Sequence, residues 1–341
     1  MPGRHRPVAT LATVAQAAGV SRQTVSNALN SPELLRPETL VRVQLAIDEL
    51  GYTPNRAARN LRTRTSHLVG LRLDPALEGT ASGLMDRFLH SLVESCKEAG
   101  LHVLLFTAAD VNDPLDGYDA LLRSAAVDAF VVTDTYRGNP QAAWLGERQV
   151  PFVAFGRPWG ESQASFPWVD VDSRAGVMLA VDHLADRGHQ RVAWVGWQKS
   201  SYIGEDRRSG WVDRMHERDL STSKLSARGE DTIEFGRRAA HALLDSHDPT
   251  AFVCVSDTIA MGVLQAIADR GRTPGPDDVA VVGFDDSLAA QVVPPGLTSV
   301  RQPLEEVAAQ IVRLLDDRLA MRSSRCTNVI LSPELRLRGT S

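Results

Sequence analysis

The stretch Thr10–Thr63 constrains this chain more than any other. Leu11, Val14, Ala15 and Ala18 recur at i, i+3, i+4 and i+7, the spacing of one helical face. Thr10 can cap that helix. Gly19 ends it, supplying the left-handed backbone that a tight corner needs. Ser21 is an N-cap for a second helix, Arg22 to Asn30. Val20, Val25 and Leu29 turn back to a small core and leave Arg22, Gln23, Ser26, Asn27 and Asn30 on the outer face. Two helices joined by a short turn with Gly form the helix-turn-helix pattern, which lays the second helix in the DNA major groove. Arg and Gln near its start can make two-pronged hydrogen bonds to guanine and adenine edges. A plain three-helix bundle with a polar surface shares this periodicity, so a second signal is needed.

That signal follows the third helix. Gly51-Tyr52-Thr53-Pro54 ends it, since Pro54 disfavours helix at Thr53. Asn55 to Arg62 is rich in helix formers, but only Ala57, Ala58 and Leu61 are apolar. Two turns fall short of the ~12–15 residues a lone helix needs in water. The segment therefore requires a partner, and its Arg residues point to a polyanion. Leu61 on such a helix suits an apolar wedge between base steps in the minor groove.

Residues 10–63 resemble the DNA-binding headpiece of the lactose/galactose repressor family, the LacI/GalR regulators. The matching runs are TLATVAQAAGVSRQTVSNALN and RPETLVRVQLAIDELGYTPNRAARNLRT. The resemblance implies base-reading roles for Arg22 and Gln23, and phosphate or base contacts for Ser21, Ser26 and Asn27. It puts Asn55, Ala58 and Leu61 on a hinge helix, with Leu61 as the wedge. Thr10, Leu11, Asn30 and Arg56 complete the expected DNA-contacting set. One departure is Arg36, which stands ahead of Pro37 where the family usually has a Ser or Thr cap. A lost cap costs roughly 1 kcal/mol, so fraying at the start of helix three is expected.

Charge separates the chain into two parts. Residues 1–66 hold nine Arg and four acids, a net of +5, whereas the remainder carries −10. A basic head on an acidic body fits a small nucleic-acid-binding domain on a separate module. No apolar run approaches the roughly 18 residues of a membrane span, and the start lacks an apolar signal core, so a cytoplasmic protein is expected. Cys96, Cys254 and Cys326 have neither metal nor disulfide spacing. No metal or cofactor is expected.

From His67 onward strands and helices alternate. Strands are expected at Leu68–Leu73, Val103–Thr107, Ala129–Thr133 and Phe152–Phe155, with helices at Leu84–Ala99, Pro114–Ser124 and Gln141–Arg148. A second run opens with strand Trp168–Val171. Helix Ala175–Arg187, strand Val192–Trp197, helices Arg207–Arg218 and Ile233–Asp245, strand Phe252–Val255, helix Thr258–Arg270 and strand Val279–Phe284 follow. The order implies parallel sheets with helices on both faces, in two lobes. The last part, Thr298–Pro303, helix Leu304–Met321 and strand Asn328–Leu331, is expected to cross back between lobes. The runs VSDTIAMG, VAVVGFDDS, RRSGW and LTSVRQP resemble the periplasmic-binding-protein-like core of the same family. The expected fold is thus a small all-α helix-turn-helix headpiece, residues 1–53, a hinge helix and linker, 54–66, and an α/β core, 67–341, of two doubly wound parallel-sheet lobes.

An enzyme would need a nucleophile or cofactor motif, and GxSxG, GxxxxGK[ST] and strand-borne GxGxxG are all missing. Asp285 and Asp286 are adjacent and point opposite ways on a strand end, a poor acid/base pair. Ligands of open α/β sheets bind at the carboxyl ends of strands. Four such ends carry Arg157 and Trp159, then Asp206 and Arg207, then Ser256 and Asp257, then Asp285. Carboxylates and guanidinium groups suit vicinal hydroxyls, and an indole face suits the C–H face of a sugar. The resemblance puts Arg207, Ser256 and Asp285 on effector positions and Arg157 on an effector loop. Asp257 is equally readable as the N-cap of the following helix. Trp194 and Trp211 read as core. Where several family members place an aromatic to stack on the effector, this chain has Asp231, which favours a hydroxyl-rich ligand; Trp159 or Trp197 could stack instead.

The expected function is a DNA-binding transcriptional regulator, a repressor, acting as a homodimer on a palindromic operator and controlled by a sugar. Two alternatives stay open: a regulator answering to a purine-type corepressor, and a sugar-binding or sugar-acting protein with a basic head.

Overall fold

The computed structural model describes residues 9–52, 65–73, 83–108, 110, 113–133, 135–160, 166–321 and 327–341. The hinge residues Asn55, Arg56, Ala58 and Leu61 lie outside them. The chain divides into two compact units, Met1–Ser66 and His67–Ser341.

The first unit contains α1 (Leu11–Ala18), α2 (Arg22–Asn30), a 3-10 turn (Pro32–Leu34) and α3 (Pro37–Leu50). Its core is Val14, Ala15, Ala18, Val25, Val43, Ala46, Ile47 and Tyr52. Thr10 and Thr13 close a reciprocal capping box, so two orphan N–H groups are satisfied at the start of α1. Gly19 is left-handed at φ 63° and turns the chain into α2. Arg36 makes no side-chain cap, as its sequence implies. The helix nonetheless begins at Pro37, whose ring already fixes helical φ at the first position.

The second unit has two six-stranded sheets. Its strands are β1 (Leu68–Arg72), β2 (His102–Phe106), β3 (Ala129–Val132), β4 (Phe152–Phe155), β5 (Trp168–Val171), β6 (Val192–Trp197), β7 (Ser226–Gly229), β8 (Ala251–Cys254), β9 (Ala280–Phe284), β10 (Thr298–Arg301), β11 (Asn328–Leu331) and β12 (Glu334–Arg336). The first sheet runs β11-β5-β4-β3-β1-β2 and the second β12-β10-β9-β8-β6-β7. Every pairing is parallel except β10 with β12. Strands covered by helices on both faces must be apolar throughout, and β3, β8 and β9 are buried at every residue.

The chain crosses between lobes three times. After β5 it enters helix Ser173–Asp186, which packs in the second lobe. After β10 it returns through helix Leu304–Leu319 to the first lobe's core. After β11 it crosses again to β12. The return at the end is as expected. Strand Trp168–Val171 does not open the second lobe: it pairs with β4 and β11 in the first sheet. The helix expected from Arg207 begins at Tyr202, because Ser201 accepts a hydrogen bond from the Gly204 N–H at 3.1 Å and caps it there. The helix expected from Pro114 starts at Tyr118, behind Gly117 at φ 86°. Strand β7 and helix Leu288–Val292 were not expected.

Candidate functional site

On the first unit, α2 presents an exposed polar face. Ser21 caps it by accepting from the Thr24 N–H at 3.1 Å. Arg22 and Gln23 are exposed. Gln23 Nε2 donates to Asn27 Oδ1 at 2.9 Å, and Asn30 Nδ2 to the Ser26 carbonyl at 2.6 Å. These i, i+4 bonds hold the amides on one face before any DNA arrives. Val25, fully buried, fixes which face turns outward. Leu11 packs partly against the core, so its expected contact role is shared with packing. Thr10 is exposed with its hydroxyl engaged in the cap.

The second unit brings the expected ligand residues to one cleft between its lobes. Gly156 sits at φ 112° after β4, a backbone open to glycine, and turns the chain so that Arg157 follows. Arg157 pairs with Asp170 of β5 in its own lobe and lies 3.9 Å from Asp206 of the other. Trp159 stacks on Tyr202 of the opposite lobe, centroids 6.3 Å apart and 14° from parallel. The Arg157 guanidinium lies 5.0 Å from the Trp159 ring centre.

Arg207 and Asp285 form the floor. Arg207 is buried, donates to the Val255 carbonyl at 2.6 Å, and lies 3.6 Å from the centre of the Phe284 ring. Its Nη2 lies 3.6 Å from Asp285 Oδ1, which accepts from Gln302 Nε2 at 2.8 Å. Arg87, from the first lobe, donates to the Asp285 carbonyl at 3.2 Å. Burial pushes the Asp285 carboxyl above its ordinary range against the pull of Arg207, and the same burial lowers the guanidinium. Each charge thus needs the other. Asp285 holds φ 102° and Asp286 φ 49°, strained for residues with a Cβ. Asp286 turns away to Arg338, so the pair diverges as the sequence implies.

The remaining expected residues divide. Ser256 caps helix Asp257–Asp269 by accepting from the Ile259 N–H, and its hydroxyl donates to Asp231. Asp257 is therefore not the cap. It is buried, with one oxygen accepting from Ser299 Oγ at 2.6 Å and the other from the Ser287 N–H at 2.7 Å. Both its oxygens are taken by Ser299 and Ser287 of the second lobe, which makes it a buried structural carboxylate and not a surface of the cleft. Asp231, Asp206, Arg157 and Trp159 border the cleft. Tyr202, Gln302 and Arg87 were missed; only Gln302 lay in a noted motif, LTSVRQP. Trp194 and Trp211 are core, as read.

Four buried polar atoms around this cleft have no hydrogen-bond partner among the described residues: Trp159 Nε1, Trp197 Nε1, Asp206 Oδ2 and Arg207 Nε. Buried polar groups are normally paired, and these donors and this acceptor are free to meet a polar ligand. Among the described residues no group of His, Cys, Asp and Glu could hold a metal ion.

Comparison with known proteins joins the two units. Residues 10–55 match the model for bacterial regulatory proteins of the lacI family, and residues 181–341 that for a periplasmic binding protein-like domain. The HTH-type transcriptional regulator CelR of Thermobifida fusca is 33% identical over 346 residues, covering 99% of both chains. The chain belongs to the lacI family. As a member it is a DNA-binding transcriptional regulator, with the helix-turn-helix and two-lobed fold of that family. The HTH-type transcriptional repressor PurR of Serratia proteamaculans is 28% identical to this lacI-family chain, over 96% of it and 95% of the relative. A solved lacI-family regulatory protein from Chloroflexus aggregans is 34% identical, with a TM-score of 0.76 over 81% of this chain and 99% of that one. The solved complex of the transcriptional regulator CelR with cellobiose is 30% identical, TM-score 0.74, over 98% and 100%. The lac repressor dimer bound to operator, 24% identical with a TM-score of 0.81, shares the fold.

Proposed function

We propose that this regulator is a repressor that answers to a sugar. It binds a palindromic operator as a homodimer, because one helix-turn-helix reads one half-site. Arg22 and Gln23 read base edges, while Ser21, Ser26, Asn27, Asn30 and the α1 start at Thr10 and Leu11 position the helix. Asn55, Arg56, Ala58 and Leu61 form the hinge, with Leu61 as the minor-groove wedge. Arg157, Trp159, Asp206, Arg207, Asp231 and Asp285 hold the effector, with Ser256 and Asp257 behind them. Effector changes the angle between lobes by its differential affinity for the two arrangements. That angle sets whether two hinge segments can pair. The protein works in the cytoplasm, where its DNA is; among the described residues no helix is long and apolar enough to cross a membrane.

The observation that carries the sugar reading is the cleft chemistry. Two indole N–H donors, one guanidinium N–H and one carboxylate oxygen lie buried without a hydrogen bond among the described residues, the oxygen facing Arg157 at 3.9 Å, beside Asp231 and Asp285. Vicinal hydroxyls both donate and accept and match that mixture, while the indole faces take C–H surface. CelR, the relative solved with cellobiose, is in line with it. The test is a melting-temperature screen of the full chain against neutral mono- and disaccharides and against nucleobases. A neutral sugar should stabilise it, and the Asp285→Ala variant should lose that shift. Stabilisation by purines alone would replace the sugar reading with a purine-type corepressor.

A further inference from the structure

A second cavity lies in the first lobe, under the carboxyl ends of β3 and β4 and beside the effector cleft. It encloses about 140 Å³ and is walled by Val132, Thr135, Asn139, Ala142, Pro158 and Phe166, among others. Pro158 stands between Arg157 and Trp159, so the residues on either side of this wall border the cleft. None of the described lining residues carries a charge. An ionised group would lose its hydration there without compensation. The volume is close to the roughly 150 Å³ cavity that takes benzene when lined by apolar groups.

Thr135, Tyr136 and Asn139 give the lining its polar part. Thr135 is 6% exposed, and its hydroxyl has no hydrogen-bond partner among the described residues. It stands against Gly156, where a Cβ would come within 2.3 Å of the hydroxyl oxygen. The Asn139 amide oxygen, by contrast, is taken by the N–H groups of Gln141 and Ala142 at 2.9 and 3.3 Å. A buried hydroxyl left alone is costly, and this one is free to bond a guest in the space beside it.

We propose that this cavity is a side pocket of the effector cleft that takes one uncharged six-membered ring bearing a hydrogen-bonding atom. Resting on the sugar reading above, it makes the effector a neutral glycoside whose aglycone enters the first lobe, and it excludes sugar phosphates and sugar acids from that pocket. Pocket and cleft then select different halves of one molecule.

The test uses full-length protein and two fluorine probes followed by ligand-observed NMR. 4-Fluorophenol should broaden with the wild type and with Asp285→Ala, which leaves the pocket intact. Ala142→Leu, which fills the pocket, should abolish the broadening at an unchanged melting temperature. Thr135→Val should weaken 4-fluorophenol about tenfold, the scale of one hydrogen bond, and leave fluorobenzene unaffected. Broadening that persists in Ala142→Leu, or equal weakening of both probes in Thr135→Val, overturns the pocket. Should Ala142→Leu fail to fold, the Thr135→Val comparison decides alone. A 4-fluorophenyl glycoside should bind more tightly than the methyl glycoside, and Ala142→Leu should erase that difference. Fluorophenol binding without any glycoside binding would sink the sugar reading and leave the pocket standing.

Discussion

Asp257 sits where two demands collide. Burial and the neighbouring Asp285 raise its carboxyl to about 7, against hydrogen bonds from Ser299 and Ser287 that favour the ionised form. In the unfolded chain the same group has its ordinary value of 3.8. As pH rises from about 4 to about 7 the unfolded chain has shed the proton while the folded chain keeps it. Stability is therefore fullest below the lower value and is lost as pH climbs to the upper one. Thermal melts of the wild type should fall between about pH 4 and pH 7, and Asp257→Asn should flatten the profile. A wild-type profile rising across that window would contradict the assignment. On the other unit, Arg22→Ala should relax base preference at one position per half-site by about 1–3 kcal/mol, measured by binding to a set of single-substituted operators. At this scale Asp285 was legible as a charge directly after strand β9, and Arg207, inside helix Tyr202–Glu217, through the RRSGW run of the family resemblance. Asp257 was open between cap and ligand because Ser256 beside it can cap equally well, and neither neighbour of its carboxylate, Ser287 or Ser299, is close in sequence.

Elements were legible where burial demanded a pattern. The strands covered on both faces are largely apolar runs, and β4, β5 and β6 match their expected bounds. Strand β7, Ser-Ala-Arg-Gly at the sheet edge, has no such run because its residues are half covered. The start of helix Tyr202–Glu217 was hidden by Gly204, a poor helix former that the Ser201 cap overrides. A strand's sheet is likewise unreadable locally: β5 is followed at once by a second-lobe helix, yet pairs in the first lobe. Caps yield a direct prediction. Ser21→Ala removes the acceptor for the Thr24 N–H at the start of α2. It should cost about 1 kcal/mol, read as a lowered headpiece melting point with the core transition unmoved.

For the whole molecule the question is how one unit informs the other. Asp285→Ala should leave operator affinity intact while abolishing the response to effector, followed by fluorescence anisotropy of labelled operator with and without sugar. A variant that still responds would remove the cleft from the scheme. Leu61→Ala should weaken specific binding by a kcal/mol-scale amount, with non-specific binding nearly unchanged. Equal losses on both DNAs would make Leu61 an ordinary packing residue.

The interleaved chain path has a consequence for synthesis. Each sheet receives its final strand only from residues 328–336, after every other strand has been made. An emerging polypeptide can settle its short amino-terminal helices early, yet both larger bodies must wait, half-edged, for the closing few residues. Ribosome stalling or truncation just before Asn328 should thus yield a product with an ordered head and two unfinished, aggregation-prone sheets.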